Sequence, residues 1–269
     1  MKSLFKIIKE QLGSFYLIQR LAMFHIRIEN RNNVLGFAWE VLNPGIQMAM
    51  YWFVFGLGLR GNEPIDGVPF VLWMLAGISM WFFMNSGILE GTKSIHRKFN
   101  LVSKMNFPLS TLPSYIITSK LYGHLFLVAL LMIVFWINGY LPSIYYLQLV
   151  YFIGISYLFA FSVTLLTSTL AVVVRDIQMV VQSTLRIMFF MSPILWLTEE
   201  RLPESIQPFM MLNPFYYLAN GYRASLLYNE WYITEQWEMT LYNLGLIFFL
   251  LLIGSAAHFK FRNRFSDFI

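Results

Sequence analysis

From Leu121 to Val174 the chain contains no Asp, Glu, Lys or Arg, and only Asn138-Gly139-Tyr140-Leu141-Pro142-Ser143 breaks the run with turn-forming residues. A helix rises 1.5 Å per residue, so about 20 apolar residues cross a hydrocarbon layer about 30 Å thick. The stretch therefore predicts a tight hairpin of two membrane helices. Charged residues make up 12% of the chain and mean hydropathy is +0.59, against about 25% charged in soluble domains. An ordinary soluble enzyme is excluded.

Six segments have the composition of a crossing, approximately 44–59, 70–89, 116–137, 147–174, 177–197 and 241–261. The first is short unless its helix begins near Leu35. Lys and Arg lie almost wholly between these blocks, fourteen on the side that includes both ends of the chain and three (Arg60, Arg201 and Arg223) on the other. That asymmetry predicts six spans with both termini in the cytoplasm. The interrupted apolar positions among Lys2, Lys6 and Lys9 do not read as a cleaved leader.

Leu4, Ile8 and Leu12 recur at four-residue spacing, with Phe5 and Phe15 near the same face and the three lysines on another. This predicts a helix lying in the membrane interface. Arg20, Arg27 and Arg31 extend the positive surface, which suits a lipid-linked anionic substrate or ordinary phospholipid. The stretch 93–107 mixes Ile95, Phe99, Leu101, Val102 and Met105 with Lys93, Arg97, Lys98 and Lys104 and ends at Phe107-Pro108. A short cytoplasmic helix with exposed apolar and basic groups, suited to docking a soluble partner, fits it. On the opposite side, residues 198–238 hold two half-length apolar runs, 206–212 and 215–227, that read as re-entrant or surface-lying helices. Asn213 is placed as an N-cap with Pro214 at the first helical position, or as part of an outer gate.

Arg186 falls near the middle of the fifth block, where a charge costs about 2.5–3.5 kcal/mol, so it is expected to face a bundle interior, a subunit interface or an aqueous path. Glu40 and Lys120 read as interfacial residues. Arg175-Asp176 reads as an inner turn held by helix-end capping and charge pairing. Aromatic rings can offer flat faces to sugars, and Tyr51, Trp52, Phe53, Phe55, Phe189, Phe190 and Trp196 are the candidates for lining a channel, with core or lipid packing as the alternative. The sequence has no Cys and four scattered His, no phosphate loop, no nucleophile elbow and no run of intramembrane carboxylates. Redox, zinc and nucleotide chemistry are not expected on this chain, and energy must come from elsewhere.

The segment Asn33-Val34-Leu35-Gly36-Phe37-Ala38-Trp39-Glu40-Val41-Leu42-Asn43-Pro44, followed by an aromatic first span ending Val54-Phe55-Gly56, resembles the membrane subunits of the ABC-2 type polysaccharide and polyol-phosphate exporters. Among these it looks most like the wall teichoic acid permeases. Phe107-Pro108, Arg175-Asp176-Ile177, Met191-Ser192-Pro193-Ile194, Asn213-Pro214, Arg223 and the ending Phe259, Arg262, Phe265 and Asp267 match in order.

The resemblance implies an all-α integral membrane protein of the type V exporter class. Residues 1–32 would form an interfacial region, 33–261 a six-helix transmembrane domain and 262–269 a cytoplasmic tail. It implies a permease homodimer with two copies of a separate ATPase, which would hold the ATP and Mg2+, and neither a metal nor nucleic acid on this chain. Segment 93–107 would be the coupling helix and 198–238 the outer gate. A polymer on an undecaprenyl diphosphate-type anchor would enter near Arg20, Arg27, Arg31 and Trp39 and pass chiefly along spans one and five. Wall teichoic acid is the leading cargo, and O-antigen or capsular polysaccharide is the alternative.

Overall fold

The computed structural model describes residues 2–31, 33–61, 63–102, 107–197, 203–262 and 265, with main chain alone at 100–102. Two helices, α1 (Lys2–Gly13) and α2 (Phe15–Glu29), precede the apolar blocks. They pack along the bundle, α1 on the C-terminal helix and α2 on the third long segment. On α1, Ile7 turns into the core while Phe5, Ile8, Leu12 and the following Phe15 stay exposed, so the apolar face read from the sequence is largely the uncovered one. Polar contacts fix α1: Arg262 donates to Glu10 at 2.7 Å, Ser114 donates to Gln11 at 2.6 Å, and the Ser110 hydroxyl bonds Glu10.

Gly36, at φ +51°, begins a short 3-10 turn over Gly36–Ala38 that leads into α3 (Trp39–Tyr51), which runs directly into a π-helix, Trp52–Leu59. The wider turn and Gly56 belong together. A Cβ at Gly56 would lie 2.8 Å from Trp52 Cδ1 and 3.1 Å from Phe70 Cδ1, so only a glycine lets the indole and Phe70 pack here.

Among the described residues, four helices are long and apolar enough to cross a membrane: Phe70–Phe99, Thr111–Ile137, Tyr146–Val173 and Trp237–Phe261. The other two expected crossings differ. The first changes pitch at Trp52, and α7 (Ile177–Phe190) ends after 14 residues, about 21 Å. Ser192-Pro193 stops it, since proline supplies no N–H to continue the ladder.

Helix α4 (Phe70–Val102) has 33 residues, about 50 Å, and outruns the hydrocarbon layer by about 20 Å. Of the separate short helix expected at 93–107, residues 93–102 are therefore a continuation of α4, and 103–106 lie outside the described residues. Gly91 lies inside it, where α4 closes on the helix that carries Thr164, a Cβ there falling 2.7 Å from Thr164 Cγ2. Helices α5 (Thr111–Ile137) and α6 (Tyr146–Val173) form the expected hairpin, its turn carried by Gly139 at φ +92° and by Asn138 donating to the Val134 carbonyl at 2.9 Å.

The half-length runs fold as α8 (Gln207–Met211) and α9 (Pro214–Leu226), followed by α10 (Tyr232–Glu235) and α11 (Trp237–Phe261). Asn213 caps α9 as expected, its side chain accepting from the Phe215 N–H at 3.1 Å with Pro214 at the first position. Helix α9 is buried between α4 and α6. Its Gly221 lies so close to Phe152 that a Cβ would meet Cε1 at 2.2 Å.

The main core joins Trp73, Met80 and Met84 of α4 to Phe152 and Phe159 of α6 and Tyr217 and Tyr222 of α9. A second cluster, at the end of the bundle that carries Lys93, Arg97 and Lys98, holds Ile18, Ile95, Phe99, Leu112, Tyr115, Val172 and Phe265.

Candidate functional site

At that basic end, α2, α3, α4 and α5 enclose a polar cavity of about 420 Å3. Its rim is Glu29, Asn33, Trp39 and Asn43, and its floor is Phe83, Gly123, His124 and Leu127. Asn30, Gln47, Asn85 and Ser86 complete the wall. Pro44 of α3 also lines it and removes the N–H that the Glu40 carbonyl would otherwise meet. Glu40 extends toward α5, and Gly123 leaves it room, a Cβ there falling 2.9 Å from Oε2.

One wall is an ion cluster. Lys120 Nζ is 3.0 Å from Glu29 Oε2 and 3.0 Å from Glu90 Oε1, while His25 Nε2 is 3.4 Å from Glu29 Oε1 and 3.9 Å from Glu90 Oε2. Burial alone would make His25 less basic, but the two carboxylates outweigh it and raise the imidazole to about 8. Burial likewise opposes ionisation of Glu29, and His25 and Lys120 outweigh that, lowering the carboxyl to about 2. His25, Glu29 and Glu90 approach closely enough to share an ion, yet Lys120 already lies between the carboxylates. Lys120 is thus the hub of a charge network rather than a lone interfacial residue.

Next to the cavity, Tyr16, Arg20, Met23, Phe24 and Arg27 of α2 and Tyr122 of α5 line a groove of about 780 Å3. Arg20 and Arg27 are exposed along it, mixed with rings and thioether. Such a surface can take an acyl or prenyl chain with an anionic group beside it. Arg31 is exposed outside the groove, and Trp39, 41% exposed, stands at the cavity mouth.

The other expected residues scatter. Lys93, Arg97 and Lys98 keep exposed or half-exposed positions on α4, whereas Ile95 and Phe99 are buried in the second cluster, Phe99 edge-on to Phe265. They hold the helix in place and are not available for docking. Phe107 packs on the same cluster, and Lys104 and Met105 lie outside the described residues. Arg175 and Asp176 are exposed, and the Asp176 side chain makes no capping bond, so the capping reading of that turn fails.

Among the aromatics, Phe53 (67% exposed) and Phe190 (61%) face outward. Phe189 turns inward to Tyr51 and Trp81, at 5.5 and 5.1 Å between ring centroids, and Tyr51, Trp52 and Phe55 are partly buried against the core. Trp196 donates to the Phe190 carbonyl at 3.0 Å. Arg186 is exposed on the outer face of α7 beside Gln182 and Ser183.

Arg223 is 1% exposed. Its guanidinium carbon is 3.4 Å from the Trp73 ring centroid, and it donates to the Trp73 and Ile194 carbonyls at 3.2 Å each and to Asn220 Oδ1 at 2.8 Å. It clamps α9, α4 and the chain after α7 together. Asn213 adds to the clamp by donating to Ser192 Oγ at 2.9 Å.

Sequence reasoning missed the amide lining and the His25–Glu29–Glu90–Lys120 cluster. The available signal was that Asn30, Asn33, Asn43, Gln47 and Asn85 all fall near the basic ends of apolar blocks.

Residues 16–227 match the family model described as ABC-2 type transporter. The chain belongs to that family. The match begins at Tyr16 in the groove and runs through both the cavity and α9. The chain is also similar to the O-antigen export system permease protein RfbA of Myxococcus xanthus, at 25% identity over 81% of this chain and 83% of that one. Two proteins of the same description from Klebsiella pneumoniae are 24% identical over 90% of each chain, and 23% identical over 97% of this chain and 98% of the relative. All three are described by O-antigen export, and none by teichoic acid.

Proposed function

We propose that this protein is the membrane subunit of an ATP-driven exporter of a lipid-linked polysaccharide, of the O-antigen type in preference to wall teichoic acid. The observation that carries this reading is end-to-end similarity to permeases named for O-antigen export, spanning 97% of the chain in one case. The basic groove supports it physically. Arg20 and Arg27 would hold the phosphates of an undecaprenyl diphosphate-type anchor, and Tyr16, Met23, Phe24 and Tyr122 would take its hydrocarbon.

In this reading the basic end of the bundle faces the cytoplasm, the two termini with it, in a bacterial cytoplasmic membrane. A second copy would complete the polymer path, with Phe53, Phe190 and Arg186 on the faces of spans one and five left uncovered here. Two ATPase subunits, carrying the ATP and Mg2+, would press on the projecting end of α4 through Lys93, Arg97 and Lys98. The rigid continuation of α4 into the bundle would carry that motion to α9 and the outer gate segment 198–238.

Depletion of the chain tests the reading. Surface glycan built of sugar repeats should fall while its lipid-linked precursor accumulates inside. Loss of surface polyol-phosphate polymer with normal glycan would return the cargo to teichoic acid, and unchanged levels of both would remove the export reading.

A further inference from the structure

The groove accounts for an anchor, but the adjoining cavity has a different chemistry. Glu29 and Glu90 are matched by Lys120 and His25, which leaves neither an open pair of carboxylates for a cation nor an uncommitted cation for a phosphate on that wall. What remains is polar, and neutral apart from the Glu40 carboxyl, which can accept a bond from a hydroxyl. Asn30, Asn33, Asn43, Gln47 and Asn85 line the space, and each amide presents donors and an acceptor together, the same pairing that a sugar hydroxyl presents. Trp39 stands exposed at the mouth with a flat apolar face beside these groups.

On the floor, His124 is 4% exposed, its Nε2 2.9 Å from the Tyr222 hydroxyl and its Nδ1 without a hydrogen-bond partner. A buried nitrogen without a partner is costly unless something fills that place. At about 420 Å3 the cavity is within the ~300–1,000 Å3 range of small-ligand sites and far too small for a folded polymer.

We propose that this cavity binds a single glycosyl unit of the lipid-linked substrate and reads its hydroxyl pattern. Trp39 stacks on the sugar face, the Asn43, Gln47 and Asn85 amides bond its hydroxyls, and His124 Nδ1 meets the hydroxyl that reaches deepest. The placement fits the export reading on which it rests. The groove and the cavity share α2 and α5, Arg27 lying two residues before Glu29 and Tyr122 one before Gly123, so a diphosphate in the groove would carry its first sugar toward the cavity mouth. The permease would thereby select the sugar nearest the anchor, before any of the polymer enters the path.

The test uses the full complex of this chain with its ATPase in nanodiscs, with ATP hydrolysis titrated against two probes: undecaprenyl diphosphate carrying one N-acetylhexosamine, and the same lipid bare. The glycosylated probe should half-saturate at a concentration at least tenfold lower. Asn43→Ala and Trp39→Ala should each raise that concentration about tenfold while moving the bare lipid less than twofold, and Trp39→Phe should recover most of the loss.

Equal shifts for the two probes, or no shift in either variant, would overturn the sugar site while leaving the export reading intact. A response of the same variants to added K+ or Mg2+ in place of sugar would assign the cavity to a cation and also overturn it. Failure of the unsubstituted complex to respond to either lipid would remove the export reading, and the sugar site with it.

Discussion

Replacing Arg223 by Met keeps most of the side-chain volume and deletes the clamp. In the native chain the guanidinium stacks on Trp73 and donates to the Ile194 carbonyl. The Trp73 carbonyl lies within α4 and keeps its place in the helical ladder, so its loss is small. The Ile194 carbonyl follows a proline-broken segment, and leaving it buried without its donor costs about 1–3 kcal/mol. Loss of a desolvated cation–π contact adds about 2 kcal/mol, so Arg223→Met should destabilise the chain by about 3–5 kcal/mol.

Gly77 gives an internal check. A Cβ there would fall 2.5 Å from Arg223 Nη2, and because that guanidinium is held by several partners it cannot swing away cheaply. Gly77→Ala alone should cost about 1–3 kcal/mol through overpacking. In the Arg223→Met background the obstacle is gone, and the same change should cost little. Thermal and denaturant unfolding of the four proteins in one detergent gives the cycle. A coupling of at least about 1 kcal/mol is expected; strict additivity would mean that Arg223 does not occupy the space above Gly77.

Lys120→Met leaves Glu29 and Glu90 facing each other without their shared cation. Breaking a buried pair costs about 3–5 kcal/mol; these carboxylates are about a third exposed, which reduces the expected loss to about 1–3 kcal/mol, and adding Glu90→Gln should restore part of it in the same unfolding assay. By NMR, His25 should titrate near 8 rather than 6.5, and Glu90→Gln should bring it down; a midpoint unmoved by that change would refute the pairing. Because the folded value lies above the unfolded one, the stabilisation from His25 is fully present below about 6.5 and is lost as pH rises through about 8. That from Glu29 has the opposite sign, present above 4.5 and lost as pH falls through about 2. Asn213→Ala removes both the α9 cap and the bond to Ser192, for an expected loss of about 1–3 kcal/mol. Asn213→Asp, which keeps the cap alone, should lose less.

The charge-free stretch 121–174 told of the α5–α6 hairpin because nothing but lipid or protein can surround such a sequence. Asn213-Pro214 told of the start of α9 because capping is local chemistry. The length of α4 was not legible because the apolar composition stops near residue 89 while the helix runs on to Val102, past Gly91, where α4 and α6 touch. The 93–99 stretch looked like an exposed docking face for a similar reason: the partners of Ile95 and Phe99, among them Ile18, Tyr115 and Phe265, lie far away in sequence. The candidate site was legible only at Arg20, Arg27 and Trp39. Its carboxylates and amides come from four helices, and no local pattern announces that Glu29 and Lys120 meet across 91 residues.

The most direct test of the account is transport itself. Sealed vesicles containing this chain and its ATPase would be loaded with a lipid-linked glycan on the face that bears the ATPase, with lectin accessibility followed on the other. The account requires glycan to appear on the far face only when ATP is hydrolysed, and to a lesser extent with Arg20→Ala and Arg27→Ala combined. Steady ATP hydrolysis with the glycan remaining on its original face would contradict it.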